Sequence, residues 1–198
     1  MDDTAQAKAA KKPRPAKKSS TGGAGLAAVG GTQIAWAREA VSASTLSARL
    51  RRDPWPRASV RIPLAVQKLI IERMVLDRRT TGDRKLAQNH YINAALSQIP
   101  PKLGDAVAWA RAWQDFIGTS RSPQTAGRTM LLQQQVADAM EQLHDGLLVV
   151  VGTGMLGHTQ AWAMIRLLAA LDAADAGEPT EEAALERVLS RLGRPSST

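Results

Sequence analysis

The spacing of apolar side chains changes period once in the first third of the chain. Residues 33–51 carry apolar side chains at helical intervals, which predicts a helix. Pro54 and Pro56 end it, because proline does not continue a helix and restrains the residue before it. From Arg57 to Ile62 polar and apolar residues alternate strictly, and this alternation predicts a half-buried β-strand.

Helical spacing returns after this strand and continues towards the C-terminus. Pro63 suits the first turn of a helix over residues 64–79, because that position needs no N–H donor. A turn with Gly82 separates it from a helix over residues 84–99, which two prolines end. Further along, the spacing predicts four more helices, at 103–117, 126–144, 158–176 and 180–192.

Length and composition narrow the class of protein. The chain has 198 residues and 44% hydrophobic side chains, enough for one or two small domains with a modest core. It has no cysteine, which excludes a disulfide scaffold, a zinc site with cysteine ligands and thiol catalysis. No uninterrupted apolar run reaches the length of about 18 residues that a membrane span needs. Since the N-terminus also lacks an apolar signal core, we expect a cytoplasmic protein.

The net charge of +8 is unevenly distributed along the sequence. Residues 1–101 contain 18 Lys and Arg against 7 Asp and Glu, whereas residues 102–198 contain 8 against 11. The first part therefore favours an anionic partner and the second does not. Nucleic acid is the first candidate, because a phosphate backbone releases counterions to clustered Lys and Arg, and a membrane surface is the second.

Residues 1–30 are rich in Ala, Lys, Pro, Gly and Ser, and we expect them to be disordered because they have little apolar surface to bury. Two readings stay open for this basic tail. It is either a solubilising segment or an arm that contacts DNA or a protein partner. In the second reading the contacting residues are Lys11, Lys12, Arg14, Lys17 and Lys18.

The strand over residues 57–62 has no partner strand in its own neighbourhood. An unpaired strand leaves its backbone hydrogen-bonding groups unsatisfied. The simplest remedy is pairing with the same strand of a second chain across a two-fold axis, which makes a homodimer. The resulting two-stranded ribbon has a width that suits the major groove of DNA.

Residues 57–99 resemble a ribbon-helix-helix DNA-binding domain of the Arc/MetJ type. The resemblance lies in the alternating strand, in Pro63 at the start of the first helix, in the turn with Gly82 and in residues 91–96 of the second helix. It implies a mainly helical fold in which one short strand per chain pairs across a two-fold axis. It also implies a dimer core that contains Ala58, Val60, Ile62, Leu69, Ile92 and Leu96.

The alternation points Arg57, Ser59 and Arg61 away from the helices. The resemblance implies that these three residues read base edges, and Arg suits guanine O6 and N7 while Ser suits either base type. The alternative is an ordinary solvated strand face. The second helix is expected to direct its N-terminus at a phosphate, with Thr81, Arg84 and Lys85 as the contacting residues.

A second motif, at Gly152, Gly154 and Gly157, matches the Gly-x-Gly-x-x-Gly fingerprint of dinucleotide-binding enzymes. The surrounding residues 146–157 fit either a buried strand or a continued helix. Asp172 lies in a helical pattern and not at the end of a strand, and too little chain follows for a doubly wound domain. A helix break is therefore the favoured interpretation, no cofactor or catalytic role is expected, and a nucleotide-binding enzyme remains a distant alternative.

The histidines and tryptophans give no further site. His90, His144 and His158 do not have the spacing of metal ligands, so no metal is expected. Trp109 and Trp113 are one helical turn apart, which favours packing over stacking on bases.

The expected organisation has four parts: a tail at 1–30, a helix with a proline-containing linker at 31–56, a ribbon-helix-helix domain at 57–101 and a helical region for oligomerisation or partner binding at 102–198. This arrangement is similar to the centromere-binding proteins of bacterial plasmid partition. It implies association with the nucleoid or a plasmid, binding to repeated DNA sites, repression of its own operon and cooperation with a Walker-type ATPase. A transcriptional repressor or a relaxosome accessory protein is the alternative.

Overall fold

The computed structural model describes residues 34–118, 124–152 and 154–193, and the basic tail residues named above lie outside these ranges. Within them the chain is mainly helical, as predicted, with one small antiparallel sheet. The elements in chain order are α1 (Ala35–Leu50), β1 (Arg57–Pro63), α2 (Leu64–Thr81), α3 (Gln88–Leu96), α4 (Leu103–Ile117), β2 (Thr125–Leu131), α5 (Gln134–Val151), α6 (Met155–Ala176) and α7 (Glu182–Leu192).

Local signals explain several of these limits. α2 begins directly after Pro63 and ends at Gly82, which has a φ of 71° that only glycine adopts readily. α3 is shorter than the predicted helix over 84–99. Its start is delayed because the Asp83 carboxylate accepts the Lys85 backbone N–H at 3.0 Å and holds that stretch in a turn.

The predicted helix over 126–144 is wrong in its first part, because residues 126–131 belong to β2 and α5 begins only at Gln134. β2 pairs antiparallel with β1, with Ser59 opposite Thr129. This pairing supplies the backbone hydrogen bonds that a helix would have made, and it extends past the strand ends through Leu132 N to Pro56 O at 3.0 Å.

β1 therefore has a partner in its own chain, and the prediction that it lacks one is wrong. The partner lies beyond α2, α3 and α4 in the sequence, which is why no neighbouring segment revealed it. The side chains expected in a dimer core pack instead within a single chain. Ala58 is half-buried there, and the fully buried members are Val60, Ile62, Leu69, Ile92 and Leu96.

The chain contains two successive strand–helix–helix units. Unit 1 is β1, α2 and α3, and unit 2 is β2, α5 and α6. Each strand has 7 residues and each first helix has 18. The two second helices contact each other, and α6 also packs on β1 of unit 1. The units are therefore interlocked around the shared ribbon.

α6 is the central element of the core. It contacts β1 and every other helix of the described ranges, and its buried side chains lie on all of its faces. Contacts cross the predicted domain boundary at residue 101. β1 lies before this boundary and pairs with β2 after it, and α6 packs on helices on both sides of it. No helix in the described ranges is long and apolar enough to cross a membrane.

A buried arginine joins three of these helices. Arg73 on α2 is 7% exposed and forms ion pairs with Asp77 at 2.8 Å, Asp172 at 3.2 Å and Asp175 at 2.7 Å. The Tyr91 hydroxyl of α3 donates to Asp77 Oδ2 at 2.6 Å. Burial opposes the charge on Arg73, but its hydrogen bonds to Asp77 and Asp175 outweigh burial and raise its pKa. Every strongly buried charge of this cluster is thus compensated.

Replacing Arg73 with methionine removes the shared partner of these carboxylates and keeps an apolar side chain about as long as the aliphatic part of arginine. We expect Arg73→Met to lower the free energy of unfolding by about 3–5 kcal/mol, because it leaves the largely buried Asp77 without its ion-pair partner and removes one of the two partners of Asp172 and Asp175. Urea denaturation at neutral pH measures this change.

Lys68→Met on the same helix is the matched control. Lys68 is exposed and pairs with Glu72 at 3.9 Å, so its replacement should change stability by no more than about 1 kcal/mol. Equal losses for the two variants would show that the Arg73 cluster does not hold the helices together.

Candidate nucleic-acid interface

The outward face of the ribbon is polar and exposed along β1. Val60 and Ile62 are fully buried, whereas Arg57, Ser59 and Arg61 are exposed, as the alternation predicts. Directly opposite residues of an antiparallel pair share one face. The exposed face is therefore completed by three residues of β2, which are Leu131, Thr129 and Gly127.

The arginines of this face keep their charge available. Arg57 and Arg61 form no ion pair with any residue of the described ranges. Elsewhere many arginines are paired with carboxylates, among them Arg38, Arg49, Arg166, Arg187 and Arg191. Two exposed guanidinium groups on one strand, each with unused donors, are suited to bind an external acceptor.

The outer edge of β1 opens into a cavity of about 590 Å³ between the ribbon, α5 and the start of α6. Arg57, Ser59 and Arg61 line this cavity, and so do Asp138 and Glu141 of α5. These two carboxylates reduce the positive potential beside the ribbon arginines.

Both ends of the ribbon are fastened by buried side-chain amides. Asn93 of α3 donates from Nδ2 to Leu131 O at 3.0 Å and accepts from Gln133 N at 2.7 Å. Gln160 of α6 accepts the backbone N–H of Arg61 at 3.2 Å. Both amides are at most 2% exposed. Each unit thus holds the strand of the other unit, and the sequence-based prediction missed both residues.

The two second helices begin at opposite ends of the ribbon. In α6, a Cβ on Gly157 would lie 3.5 Å from Arg61 Cβ, so the first turn of α6 is at the Arg61 end. In α3, Asn93 contacts the Leu131 end of the ribbon. The first residue of α3 lies about 8 Å from Asn93 along the helix axis. Neither helix has an N-cap side chain that accepts a hydrogen bond from its first turn, and neither has an acidic residue in that turn.

The residues predicted to contact phosphate lie just before α3. Arg84 and Lys85 are exposed in the loop between α2 and α3. Thr81 is the last residue of α2, and its hydroxyl donates to Asp77 O at 2.7 Å and accepts from Asp83 N at 3.2 Å. Arg84 and Lys85 are therefore accessible, whereas the Thr81 hydroxyl is already engaged within the chain.

A buried histidine supports the start of α3. His90 Nδ1 accepts the backbone N–H of Ala87 at 3.2 Å. Burial lowers the pKa of His90, so the ring stays neutral near pH 7 and keeps the lone pair that this hydrogen bond needs. Burial likewise lowers the pKa of His158 on α6.

The glycine motif breaks a helix and does not follow a strand. Gly152 has a φ of 82° and Gly154 a φ of 95°, and they lie between the end of α5 and the start of α6. The dinucleotide fingerprint requires a preceding strand of a parallel sheet, whereas α5 precedes these glycines. Asp172 is engaged with Arg73 at 3.2 Å and with Arg191 at 3.3 Å. The favoured interpretation of a helix break is therefore confirmed.

A second cavity, of about 680 Å³, lies between α1, α2 and α6. Its charged groups are engaged with one another. Asp175 pairs with Arg73 and with Arg38, and these arginines lower its pKa against the opposing effect of burial. Arg49 pairs with Asp83 at 2.5 Å. A ligand in this cavity would have to compete with these ion pairs.

The aromatic side chains pack within the protein. Trp113 is 3% exposed and its ring centre lies 5.6 Å from that of Phe116. Trp109 lies under the Arg166 guanidinium at 4.8 Å. Among the described residues no group of three or more His, Asp or Glu is arranged to hold a metal ion.

Comparison of the chain with protein-family models, curated proteins and solved structures gives no match.

The amide of Asn93 is directly testable. Asn93→Ala leaves the Leu131 carbonyl and the Gln133 N–H without a partner, and we expect a loss of about 1–3 kcal/mol in stability. Amide hydrogen exchange at Gln133 should become faster as well.

Asn89→Ala on the same helix is the control, because the Asn89 side chain makes no hydrogen bond to a described residue. It should leave exchange at Gln133 unchanged. If Asn93→Ala also left that exchange rate unchanged, the amide would not be what holds the ribbon end.

Proposed function

We propose that this chain is a sequence-specific DNA-binding protein whose β1–β2 ribbon lies in the major groove. The observation that carries the proposal is the outward face of β1, where Arg57, Ser59 and Arg61 are exposed and both guanidinium groups lack an ion-pair partner among the described residues. A two-stranded ribbon fits the width of the major groove, and arginine is the side chain most often used to bind guanine there.

The flanking helices fit the same mode of binding. The N-terminal turns of α3 and α6 lie at opposite ends of the ribbon and contain no acidic residue. Helix N-termini bind phosphate through free N–H groups and the helix dipole. A ribbon in the groove with a helix start on each side would contact bases in the middle and phosphates on both flanks.

The pair of strand–helix–helix units accounts for the resemblance to ribbon-helix-helix proteins. In this proposal the two units of one chain take the places of the two subunits of such a dimer. The expected second copy is then not needed to complete the ribbon, because β2 supplies the strand that pairs with β1.

Replacing one ribbon arginine should weaken specific recognition. We expect Arg61→Ala to cost about 1–3 kcal/mol in DNA affinity and to relax specificity, because it deletes a bidentate contact to one base. The measurement is selection of duplexes from a library with random sequence, followed by fluorescence anisotropy on the enriched duplex and on a scrambled duplex.

Two variants separate base readout from charge. Lys85→Ala should weaken binding to all duplexes alike and reduce the salt slope by about one unit, since it removes a phosphate contact. Arg111→Ala removes an exposed arginine of α4, which packs on α6 and α5 away from the ribbon, and should leave both duplexes unaffected. The proposal fails if wild type enriches no sequence, or if Arg61→Ala behaves like Arg111→Ala.

Within DNA binding we propose a role in plasmid partition, with autoregulation and a Walker-type ATPase as partner; a transcriptional repressor or relaxosome accessory protein is the alternative. This role is supported by the basic composition of residues 1–30 beside a DNA-binding region. Deleting residues 1–30 should leave DNA affinity largely intact and remove the stimulation of a Walker-type partition ATPase. Unchanged ATP hydrolysis would contradict the role of the tail.

A further inference from the structure

The two strand–helix–helix units are related by an approximate two-fold axis through the ribbon. α2 begins at Leu64 and α5 at Gln134, so counting back equally from each helix start matches β1 with β2. Arg57, Ser59 and Arg61 correspond in this way to Gly127, Thr129 and Leu131. The observed register agrees with this correspondence, because Ser59 lies opposite its own equivalent, Thr129. Arg57 lies opposite Leu131, the equivalent of Arg61, and Arg61 lies opposite Gly127, the equivalent of Arg57. The axis therefore passes between Ser59 and Thr129.

The side chains do not follow this symmetry. At one end of the outward face Arg57 lies opposite Leu131, and at the other end Arg61 lies opposite Gly127. Both arginines of the face are on β1. β2 contributes a hydrogen, a hydroxyl and an apolar side chain at the three equivalent positions.

The segments before the two second helices also differ in positive charge, and unit 1 again carries it. The loop before α3 carries Arg84 and Lys85, both exposed. The equivalent stretch before α6 contains neither Lys nor Arg between residues 146 and 157. Unit 1 thus provides the cationic groups on the outward face of the ribbon and before its second helix, whereas the only arginine of β2, Arg128, lies opposite Val60 on the other face.

We propose that a single copy of this chain recognises a non-palindromic DNA site. This inference rests on the proposed function and specifies its target. Arg57 and Arg61 each donate to guanine O6 and N7, whereas Leu131 contacts the 5-methyl group of a thymine. A homodimer reads the same bases twice because its two strands are identical, whereas this ribbon presents two different strands.

The spacing of the arginines sets the spacing of the guanines. Arg57 and Arg61 are four residues apart on one strand, which corresponds to about 13 Å. One DNA base step rises about 3.4 Å along each strand. The two guanines should therefore lie roughly four base pairs apart.

Selection from the random duplex library with the full-length wild-type chain tests this target. We expect a consensus without two-fold symmetry, with two guanines at this spacing, and one chain per duplex by native mass spectrometry. A palindromic consensus, or two chains on each minimal duplex, would overturn the inference and leave DNA binding intact. Enrichment of no sequence at all would overturn the proposed function as well.

A symmetrised ribbon provides the sharper test. Gly127→Arg combined with Leu131→Arg places arginines at all four outer positions, and a Cβ at Gly127 would meet no atom within 4 Å. We expect this variant to enrich a palindromic site and to bind it at least tenfold more tightly than the wild-type site. An unchanged, non-palindromic consensus from a folded variant would show that β2 does not read bases.

Gly104→Arg is a control that adds one arginine away from the ribbon, compared with the two that the ribbon variant adds. Gly104 is exposed on α4, and a Cβ there also meets no atom within 4 Å. This variant should keep the wild-type consensus. If it shifted the consensus as the ribbon variant does, the change would arise from charge alone and the inference would fail. Circular dichroism on all variants checks the fold, and the wild-type selection does not depend on them.

Discussion

A two-stranded sheet is marginally stable in water by itself, because each strand satisfies only half of its backbone groups. The fold of this chain depends on how that deficit is met. β1 and β2 pair through one edge each, and the other edges are bound at their ends by the amides of Gln160 and Asn93. Each amide comes from the second helix of the opposite unit. The ribbon therefore forms only when both units are folded against each other.

The Arg73 cluster strengthens the same dependence. It joins α2 of unit 1 to α6 of unit 2 through Asp172 and Asp175, and it reaches α3 through Asp77 and Tyr91. Burial and the bond to Asp77 raise the pKa of Tyr91, so its hydroxyl remains a donor over the whole physiological range. The buried apolar side chains of α6 belong to the core, and this cluster adds ion pairs between α2 and α6.

Local sequence signals predict a large part of this architecture. The alternation from Arg57 to Ile62 and the proline that follows place β1 and the start of α2 correctly, and the spacing at 103–117 matches α4 in both limits. These features depend on residues close in the sequence. The outward face of β1 follows from the same alternation, so its candidate site residues can be predicted from the sequence.

The missing parts depend on contacts between distant residues. Residues 126–131 fit a helical pattern about as well as a strand, and only their pairing with β1 decides between the two. The sequence does not reveal that unit 2 repeats the arrangement of unit 1, because the outward side chains of β2 differ from those of β1. Gly127 and Leu131 stand where β1 has arginines, and only Thr129 resembles its equivalent, Ser59. Asn93 and Gln160 had one usable signal: each is an amide within an apolar helical stretch, a place where a buried polar group needs a specific partner.

The pairing of β1 with β2 inside one chain can be tested with a single disulfide cross-link. Ser59 and Thr129 form a pair whose backbone groups point away from the partner strand, with Cα atoms about 4.5 Å apart as a disulfide requires. The chain has no native cysteine. Oxidised Ser59→Cys/Thr129→Cys protein should be a monomer with an intrachain disulfide, as read from mass spectrometry of a non-reduced digest. Disulfide-linked dimers with no intrachain link would show that the ribbon forms between chains and would contradict the account.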